Sequence, residues 1–269
     1  MLHTVSIGTA GTRVAFLHGL FGQGRNWSQI AKALAGPAGT DARCMLLDLP
    51  DHGRSPWSTR FSFEGYAASV RDTLTTIAPG ETWVVVGHSL GGKTAMVLAL
   101  DHPELVSALC VVDIAPKSYG DLHRFGGYIE EMRALPLPDL TTRADAEARF
   151  VEADPAVKAF LLQNLRREGT EWHWQINLDL VAADAALGSG SVIASFPYVP
   201  GQRTAYPGPV VWLNGAESNY VRESDAEVMR RFFPAVRQVT VKGAAHWVHT
   251  DAPGVVVETL RRLVRSRPS

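Results

Sequence analysis

Ser89 stands in a pattern of small residues that suits a nucleophile. Residues 84–91, VVVGHSLG, run from three valines into the motif G-x-S-x-G. A serine hydroxyl is a weak nucleophile unless it is exposed, next to a base and close to an oxyanion site. In this motif a sharp turn from strand to helix lifts the serine above the edge of a sheet. We therefore predict that Ser89 is a nucleophile; the alternative is a tight structural turn with an incidental serine.

A glycine-rich loop near the N-terminus predicts an oxyanion site. Residues 14–24, VAFLHGLFGQG, indicate a strand that ends in a His-Gly pair and opens into this loop. The backbone N–H of Leu20 would join that of Leu90, the residue after the candidate nucleophile, in stabilising a tetrahedral oxyanion. The side chain of Phe21 would then line an acyl pocket or pack beneath the segment that covers the site.

The same loop has a second interpretation, as a dinucleotide-binding fingerprint with Asp48 at the end of the next strand binding the ribose. That fingerprint, G-x-G-x-x-G, needs a third glycine, and after Gly22 and Gly24 its place is taken by Trp27. We therefore favour the oxyanion loop and predict no organic cofactor.

His246 is the candidate general base. It follows the last apolar run, in residues 239–250, VTVKGAAHWVHT, and the small residues before it suit a loop that could reach Ser89. In chains with this serine motif the usual order is serine, acid, histidine. His249 competes for the role, but a spacing of three puts it on the opposite side of an extended loop. The histidine pair could also indicate a metal site, but no nearby carboxylate–histidine pattern completes one, so we predict no metal.

Asp113 is the favoured acid of the site. It ends an otherwise apolar run, and a carboxylate there is costly to bury unless it is paired. At the carboxyl edge of a parallel sheet, that partner can be His246. The common place for the acid is after the penultimate strand, in G-x-x-D, but residues 215–218 read GAES. Ser218 fills the fourth position and Glu217 comes one place early, so Glu217 as acid, or Asp113 as a mere turn cap, stays open.

The elements that must position these residues alternate along the chain. Short apolar runs predict strands at 14–18, 43–48, 83–88, 108–113, 210–214 and 238–242. Helical patterns lie between them, at 26–34, 63–77, 93–101, 225–233 and 254–265. Such alternation predicts an α/β fold, with a mostly parallel twisted sheet and helices on both of its faces.

Residues 116–207 break this alternation. They carry no strong signal for a parallel strand, and instead indicate helices at 124–135, 143–153 and 156–167 and an aromatic stretch, EWHWQINL. The segment is too long for a simple loop. We therefore predict a mainly helical cap at 116–207, inserted after the strand that ends at Asp113, on a core of 1–115 and 208–269.

The composition narrows the classes of partner. A net charge of −1 on 269 residues gives no electrostatic case for nucleic acid or an anionic membrane. The N-terminus lacks a signal peptide's pattern, and no apolar run reaches the roughly 18 residues of a membrane span. Cys44 and Cys110 lie in apolar runs, which predicts buried thiols in a reducing compartment. The expected location is cytoplasmic, and the oligomeric state stays open.

Taken together, the motifs resemble those of the α/β-hydrolase fold superfamily. Within it, the chain is most similar to the YbfF-type bacterial esterases and their mitochondrial α/β-hydrolase-domain relatives. The matching stretches are HGLFGQGRNW, DLPDHGRSPW, GHSLGGKTAM, VVDIAPKSY, NGAESNYV and AAHWVH. The resemblance implies a carboxylesterase or thioesterase that acts on small acyl esters and acyl-CoA-type thioesters without a cofactor. It also implies that the acid is Asp113.

The expected chemistry is attack by Ser89 on an acyl carbonyl, followed by hydrolysis of the acyl-enzyme. Two other functions stay open. One is a C–C bond hydrolase or lyase with the same triad, although such enzymes usually keep the acid after the penultimate strand. The other is a ligand receptor or signalling protein on a hydrolase scaffold. Aromatic side chains near the site could line an acyl pocket, and the candidates for substrate binding are Phe21, Tyr119 and Trp247.

Overall fold

The computed structural model of the chain describes residues 1–36, 41–120, 123–152 and 154–265. The strands within these residues are β1 Thr4–Ile7, β2 Thr12–Leu17, β3 Ala42–Leu47, β4 Trp83–His88, β5 Val106–Val112, β6 Leu165–Glu168, β7 Glu171–Trp174, β8 Val210–Gly215 and β9 Val236–Val241. One sheet runs in the order β1-β3-β2-β4-β5-β8-β9, and β6 pairs with β7 in a separate hairpin.

The large sheet is parallel except at one edge. Only β1 is antiparallel to its neighbour, β3, among the described pairings of this sheet. The prediction of a mostly parallel sheet is therefore confirmed, and the six predicted strands correspond to β2, β3, β4, β5, β8 and β9. The strand β1 is missing from the prediction because its four residues, TVSI, are half-buried or exposed and form no apolar run.

Helices connect the strands and cover the sheet. Within the described residues they are α1 Ser28–Ala35, α2 Phe63–Ile77, α3 Leu90–Asp101, α4 His123–Ala134, α5 Arg143–Arg149, α6 Pro155–Leu162, α7 Leu178–Ala185, α8 Ala226–Phe232, α9 Val248–Asp251 and α10 Pro253–Arg265. Short 3₁₀ turns occupy Gly24–Trp27, Leu137–Asp139, Gly188–Gly190 and Glu223–Asp225.

The core lies on both faces of the sheet, as β2 illustrates. Val14 and Phe16 belong to a buried cluster that also contains the apolar sides of α1 and α10. Ala15 and Leu17 point the other way, into a cluster that contains α2 and α3. All four side chains are fully buried. A strand that is covered on both faces therefore needs apolar residues at successive positions, with no polar residues between them. The predicted arrangement of helices on both faces is confirmed.

The segment 116–207 holds helices α4 to α7 together with the hairpin β6–β7. Two of the predicted helices are too long. The helix predicted at 143–153 ends at Arg149, because Phe150 turns to an extended conformation, and its predicted last residue lies outside the described residues. The helix predicted at 156–167 ends at Leu162, and β6 follows because it pairs with the aromatic strand β7. The division of the chain into a core and a cap at 116–207 stays a prediction.

A buried carboxylate connects this segment to the sheet. Asp51, after β3, adopts a φ of 66° and accepts hydrogen bonds from the amide of Asn177, at 3.0 Å, and the hydroxyl of Tyr66, at 2.9 Å. Its other contacts are the N–H and hydroxyl of Ser58, at 2.7 and 2.6 Å. Since Asn177 also caps α7, the loop after β3 and the start of that helix are held together.

Cys44 and Cys110 are both buried free thiols, as predicted. Burial raises the pKa of each thiol to about 12, so both are uncharged at neutral pH. Among the described residues, no helix has the length and apolar character needed to cross a bilayer. The cytoplasmic location stays a prediction.

Candidate active site

Ser89 lies at a strained turn between β4 and α3. Its φ of 51° and ψ of −114° are in a region that non-glycine residues rarely adopt, at a typical cost of about 1–3 kcal/mol. The neighbouring glycines are needed because the turn is crowded. A Cβ at Gly87 would come within 2.2 Å of the oxygen of Gly91, and one at Gly91 within 2.5 Å of the oxygen of Leu17. The serine is therefore held above the sheet edge by its surroundings.

The predicted oxyanion loop contains a tight turn over residues 19–22. The N–H of Gly22 donates to the oxygen of Gly19 at 2.9 Å, and Phe21 takes a φ of 61° in the third position. This turn brings Leu20 to the cavity that Ser89 and Leu90 also line. Leu90 is the first residue of α3, so its N–H has no partner within the helix. Leu20 and Leu90, the two residues whose amides are predicted to form an oxyanion site, thus line the same cavity as Ser89.

Two side chains that the sequence analysis does not single out hold this turn from the segment 116–207. The amide of Asn164 donates to the oxygen of Phe21 at 2.8 Å, and that of Gln163 donates to it at 3.3 Å. Asn164 is fully buried and also accepts a hydrogen bond from Gln23 at 3.1 Å. Because these residues are about 140 positions apart in sequence, no local pattern indicates the contact.

His18 stabilises the loop from its other side. Its Nδ1–H donates to the oxygen of Gly19 at 2.8 Å, and its Nε2 accepts the N–H of Leu49 at 2.9 Å. A neutral ring satisfies both contacts, since one nitrogen donates and the other accepts. Burial, with a smaller effect from His52, lowers the pKa of His18 to about 3. His18 is therefore a structural imidazole of the loop.

Asp113 and His246 form a close pair. The Nδ1–H of His246 donates to Oδ2 of Asp113 at 2.7 Å, and the carboxylate is completely buried. Asp113 follows β5 with a φ of 51°, and its Oδ1 accepts the N–H of Gly215 at 3.1 Å. The hydroxyl of Ser218 donates to Oδ2 as well. Ser218, which occupies the common position of the acid, thus contacts Asp113, the carboxylate that is predicted to act as the acid instead.

Two rings and one hydrogen bond orient His246. The ring of Tyr220 stacks on the imidazole, with centroids 4.0 Å apart and an angle of 20° between the planes. On another side, Nε2–H of the buried His88 donates to the backbone oxygen of His246 at 2.9 Å. Burial, and then the nearby charge of His246, lower the pKa of His88 well below its usual range. His88 therefore connects the serine turn to the loop of the candidate base.

The competing residues lie elsewhere. His249 stacks on Trp27, with ring centroids 4.5 Å apart, and burial lowers its pKa to about 4. Glu217 is exposed, and its backbone N–H donates to the oxygen of Ala244. Among the described contacts, its side chain makes no hydrogen bond with His246. The geometry pairs the imidazole of His246 with Asp113 and leaves both competitors outside this pair.

Ser89 borders two adjoining cavities. The large chamber, of about 220 Å³, is lined by Leu20, Ser89, Leu90, Lys93, Ile114, Tyr119, Phe125, Ile193, Ala194, Asn219 and Tyr220. The small chamber, of about 30 Å³, is lined by Leu20, Phe21, His88, Ser89, Phe125, Tyr128, Val157, Phe160, Leu161, His246 and Trp247. Of the predicted substrate-binding residues, Tyr119 lines the large chamber, whereas Phe21 and Trp247 line the small one. No group of three or more metal-ligating side chains occurs in the part of the chain that the structure describes.

Comparisons with known proteins point in the same direction. The chain is 37% identical over 246 residues to the sn-1-specific diacylglycerol lipase ABHD11 of Mus musculus, covering 89% of this chain and 76% of that protein. It is 26% identical over 253 residues to esterase YbfF of Escherichia coli (strain K12), covering 93% and 91%. A solved structure of a marine microorganism esterase superimposes with a TM-score of 0.87 at 28% identity, covering 97% of this chain and 98% of that one.

The family model of the alpha/beta hydrolase fold matches residues 12–253. This range includes the serine turn, the oxyanion loop and the close acid–histidine pair. The predicted resemblance and the predicted fold are therefore confirmed, and the names of the relatives support an enzyme that hydrolyses esters. The chain belongs to the α/β-hydrolase fold family.

Proposed function

We propose that the protein is a serine hydrolase that cleaves carboxylic esters through a Ser89–His246–Asp113 triad and an acyl-enzyme. The observation that carries this proposal is the 2.7 Å contact between Asp113 and His246 beside the cavity that holds Ser89. The relatives named as an esterase and a diacylglycerol lipase support ester hydrolysis as the reaction class.

The hydrogen bond to Asp113 decides which nitrogen of His246 acts as the base. Because Nδ1 carries the proton that Asp113 accepts, Nε2 keeps its lone pair and can take the proton of Ser89. The buried carboxylate then stabilises the imidazolium, whose positive charge it faces directly. The serine oxygen attacks the acyl carbon, and the carbonyl oxygen becomes an oxyanion.

Two amides are proposed to hold that oxyanion. The N–H of Leu90 begins α3, where the helix dipole favours negative charge, and the N–H of Leu20 comes from the turn after β2. His246 then gives its proton to the leaving alcohol, which departs, and the acyl group stays on Ser89. Water, deprotonated by His246, attacks this acyl-enzyme and releases the acid.

We extend the proposal to acyl thioesters, because the same attack and the same oxyanion occur with a thiol as leaving group. The partner is a small-molecule acyl ester or thioester. An assay that compares an oxygen ester with the thioester of the same acyl group separates the two. Turnover of the ester alone would restrict the activity to oxygen esters.

Covalent labelling tests the nucleophile. A fluorophosphonate should modify the wild-type protein at one residue, Ser89, as read by peptide mass spectrometry, and should leave Ser89→Ala unmodified. Labelling of another serine, or activity of Ser89→Ala within about tenfold of the wild type, would overturn the assignment. Many rapid turnovers on a short p-nitrophenyl ester support an enzyme. A single slow burst would instead indicate a receptor on this scaffold.

A further inference from the structure

Lys93 is buried one turn beyond the candidate nucleophile, and this burial lowers the pKa of its ammonium to about 7 against the opposing effect of Asp184. Its side chain is only 2% exposed, and its ammonium donates to three successive carbonyls, of Ile193 at 3.2 Å, Ala194 at 2.8 Å and Ser195 at 2.6 Å. A lysine has three N–H donors and no acceptor, so this arrangement uses all of them. No N–H is left to bind an anionic substrate, so the role of Lys93 must lie in the loop that it holds.

The loop 191–195 is fixed from its other side by a carboxylate. Asp184, at the end of α7 and 6% exposed, accepts the N–H of Val192 at 2.9 Å, the N–H of Ile193 at 3.2 Å and the hydroxyl of Ser191 at 2.5 Å. The N–H groups of the loop thus face the anion and its carbonyls face the cation. Each buried charge is stabilised through the peptide dipoles between them.

This loop is a wall of the large chamber. Ile193 and Ala194 line that chamber together with Ser89, and the oxygen of Ala194 also accepts the N–H of Tyr119 at 3.0 Å. Lys93 belongs to α3, the helix that begins directly after the nucleophile. The contacts of Lys93 therefore connect the chamber wall to the helix of Ser89.

The large chamber is the side for the acyl group, because His246 lines only the small one. The leaving oxygen must receive the proton of His246, so the alcohol lies towards the small chamber and the acyl chain extends into the other. The large chamber, at about 220 Å³ against about 30 Å³, is the one with room for an acyl chain of several carbons.

We propose that Lys93 is a specificity-determining positioning residue, which limits the length of the acyl group by holding the loop 191–195 against α3. This inference rests on the proposed function, since it assumes that Ser89 carries the acyl group. The favoured substrates are esters of short and medium-length, uncharged carboxylic acids.

A matched control separates this role from general stabilisation. Arg203 also connects α3 to the segment 116–207, since its Nε donates to Oδ1 of Asp101 at 2.7 Å. Asp101 lies at the far end of α3, and neither residue lines the large chamber. Arg203→Met thus removes a contact between the same helix and the same segment, without touching the chamber wall.

The experiment compares kcat and KM for p-nitrophenyl esters with acyl chains of about two to about sixteen carbons. In the wild type, kcat/KM should rise and then fall along this series, and the chain length at which it falls is the limit set by the chamber wall. Lys93→Met should raise kcat/KM for esters beyond the wild-type limit by about tenfold or more and raise KM for short esters, because the wall is no longer fixed. Arg203→Met should lower the melting temperature and leave the chain-length profile unchanged.

Two further variants keep the outcome decisive. Asp184→Asn weakens the loop 191–195 from its other side and should also raise kcat/KM for long acyl chains. This variant tests the inference if Lys93→Met does not fold. Ile193→Trp fills the chamber and should shorten the preferred chain. Unchanged profiles in both loop variants, or an unchanged limit in Ile193→Trp, would overturn the inference. If the profiles are unchanged but these variants still turn over esters and are labelled at Ser89, only the role of Lys93 is wrong and the serine hydrolase stands. If the wild type does not turn over esters, the proposed serine hydrolase function itself is wrong.

Discussion

Asp113 and His246 are 133 residues apart in the chain, and their side chains meet at 2.7 Å. This pairing predicts the result of Asp113→Asn, which keeps the size of the side chain but presents an amide to the imidazole. The amide favours the wrong tautomer and leaves the imidazolium unstabilised, so kcat for a short ester should fall by roughly 10²–10⁴. Steady-state kinetics with a thermal unfolding control measure this loss.

Glu217→Gln is the matched control, because it also converts a carboxylate to an amide, but after β8, the neighbour of β5 in the sheet. Glu217 is exposed and outside hydrogen-bonding contact with His246, so its variant should keep most of the activity. The opposite ranking, with Glu217→Gln severely impaired and Asp113→Asn nearly normal, would return the acid to the strand end after β8. Equal modest losses would mean that the two carboxylates share the role.

A second prediction concerns the position of the acid. Ser218 already donates its hydroxyl to Asp113, so a carboxylate at residue 218 would lie next to the site that Asp113 occupies. Ser218→Asp alone should reduce activity, because two adjacent carboxylates repel and one of them takes up a proton. The double variant Asp113→Asn/Ser218→Asp should recover about tenfold or more of the activity lost in Asp113→Asn.

Ser218→Ala serves as the reference, since it removes the hydroxyl without adding charge. If the double variant is no more active than Asp113→Asn, then the backbone after β8 does not present residue 218 to the imidazole. That result would mean that the pairing of acid and histidine in this chain depends on the strand end of β5 alone.

The parts of the site that could be predicted from the sequence are those with a local signal. The serine turn needs the glycines at positions 87 and 91, which flank Ser89 in the sequence. Asp113 stands out because it is a carboxylate at the end of a buried apolar strand. Contacts between distant segments give no such signal. Asn164 reaches the oxygen of Phe21 from 143 residues away, and Lys93 reaches Ile193 from 100 residues away. The sequence marks these residues as polar but does not indicate their partners.

Secondary structure follows the same division. The buried strands of the sheet are covered on both faces and so carry continuous apolar runs, which makes them predictable. The hairpin β6–β7 is not, because its strands, LRRE and EWHW, bury only one residue each and pair only with each other. Its stability depends on packing against neighbouring elements, as expected of an isolated two-stranded hairpin.

We predict that the buried histidine His249 lowers the free energy of unfolding in acid. Burial lowers the pKa of His249 to about 4, whereas the unfolded value is near 6.5. Below pH 6.5 the unfolded chain therefore binds more protons, and the free energy of unfolding falls as the pH drops towards 4. His249→Phe keeps the stack on Trp27 and removes this titration, so it should reduce the fall by up to about 3 kcal/mol. Denaturant unfolding at pH 7 and about pH 4.5 measures it.

The variant His249→Phe should still lose some free energy of unfolding in acid, because burial also lowers the pKa of His18 to about 3. The contribution of His249 is therefore the difference between the wild type and the variant in the slope of the free energy of unfolding against pH. Parallel slopes in the wild type and the variant would show that His249 titrates normally in the folded protein. If the free energy of unfolding falls more steeply with acid in the variant than in the wild type, burial does not lower the pKa of His249 and the prediction is wrong.

The last prediction tests the oxyanion loop through Gly19. A Cβ at this position would lie 2.8 Å from Nδ1 of the buried His88 and 3.4 Å from Cβ of Ser89, so the loop and the ring of His88 must move apart. In Gly19→Ala the amide of Leu20 should therefore miss the oxyanion, and kcat should fall by about 10²-fold with little change in KM. Gly254→Ala, where nothing lies within 4 Å of the new atom, should keep full activity. A normal kcat in Gly19→Ala would mean that this loop does not bind the oxyanion.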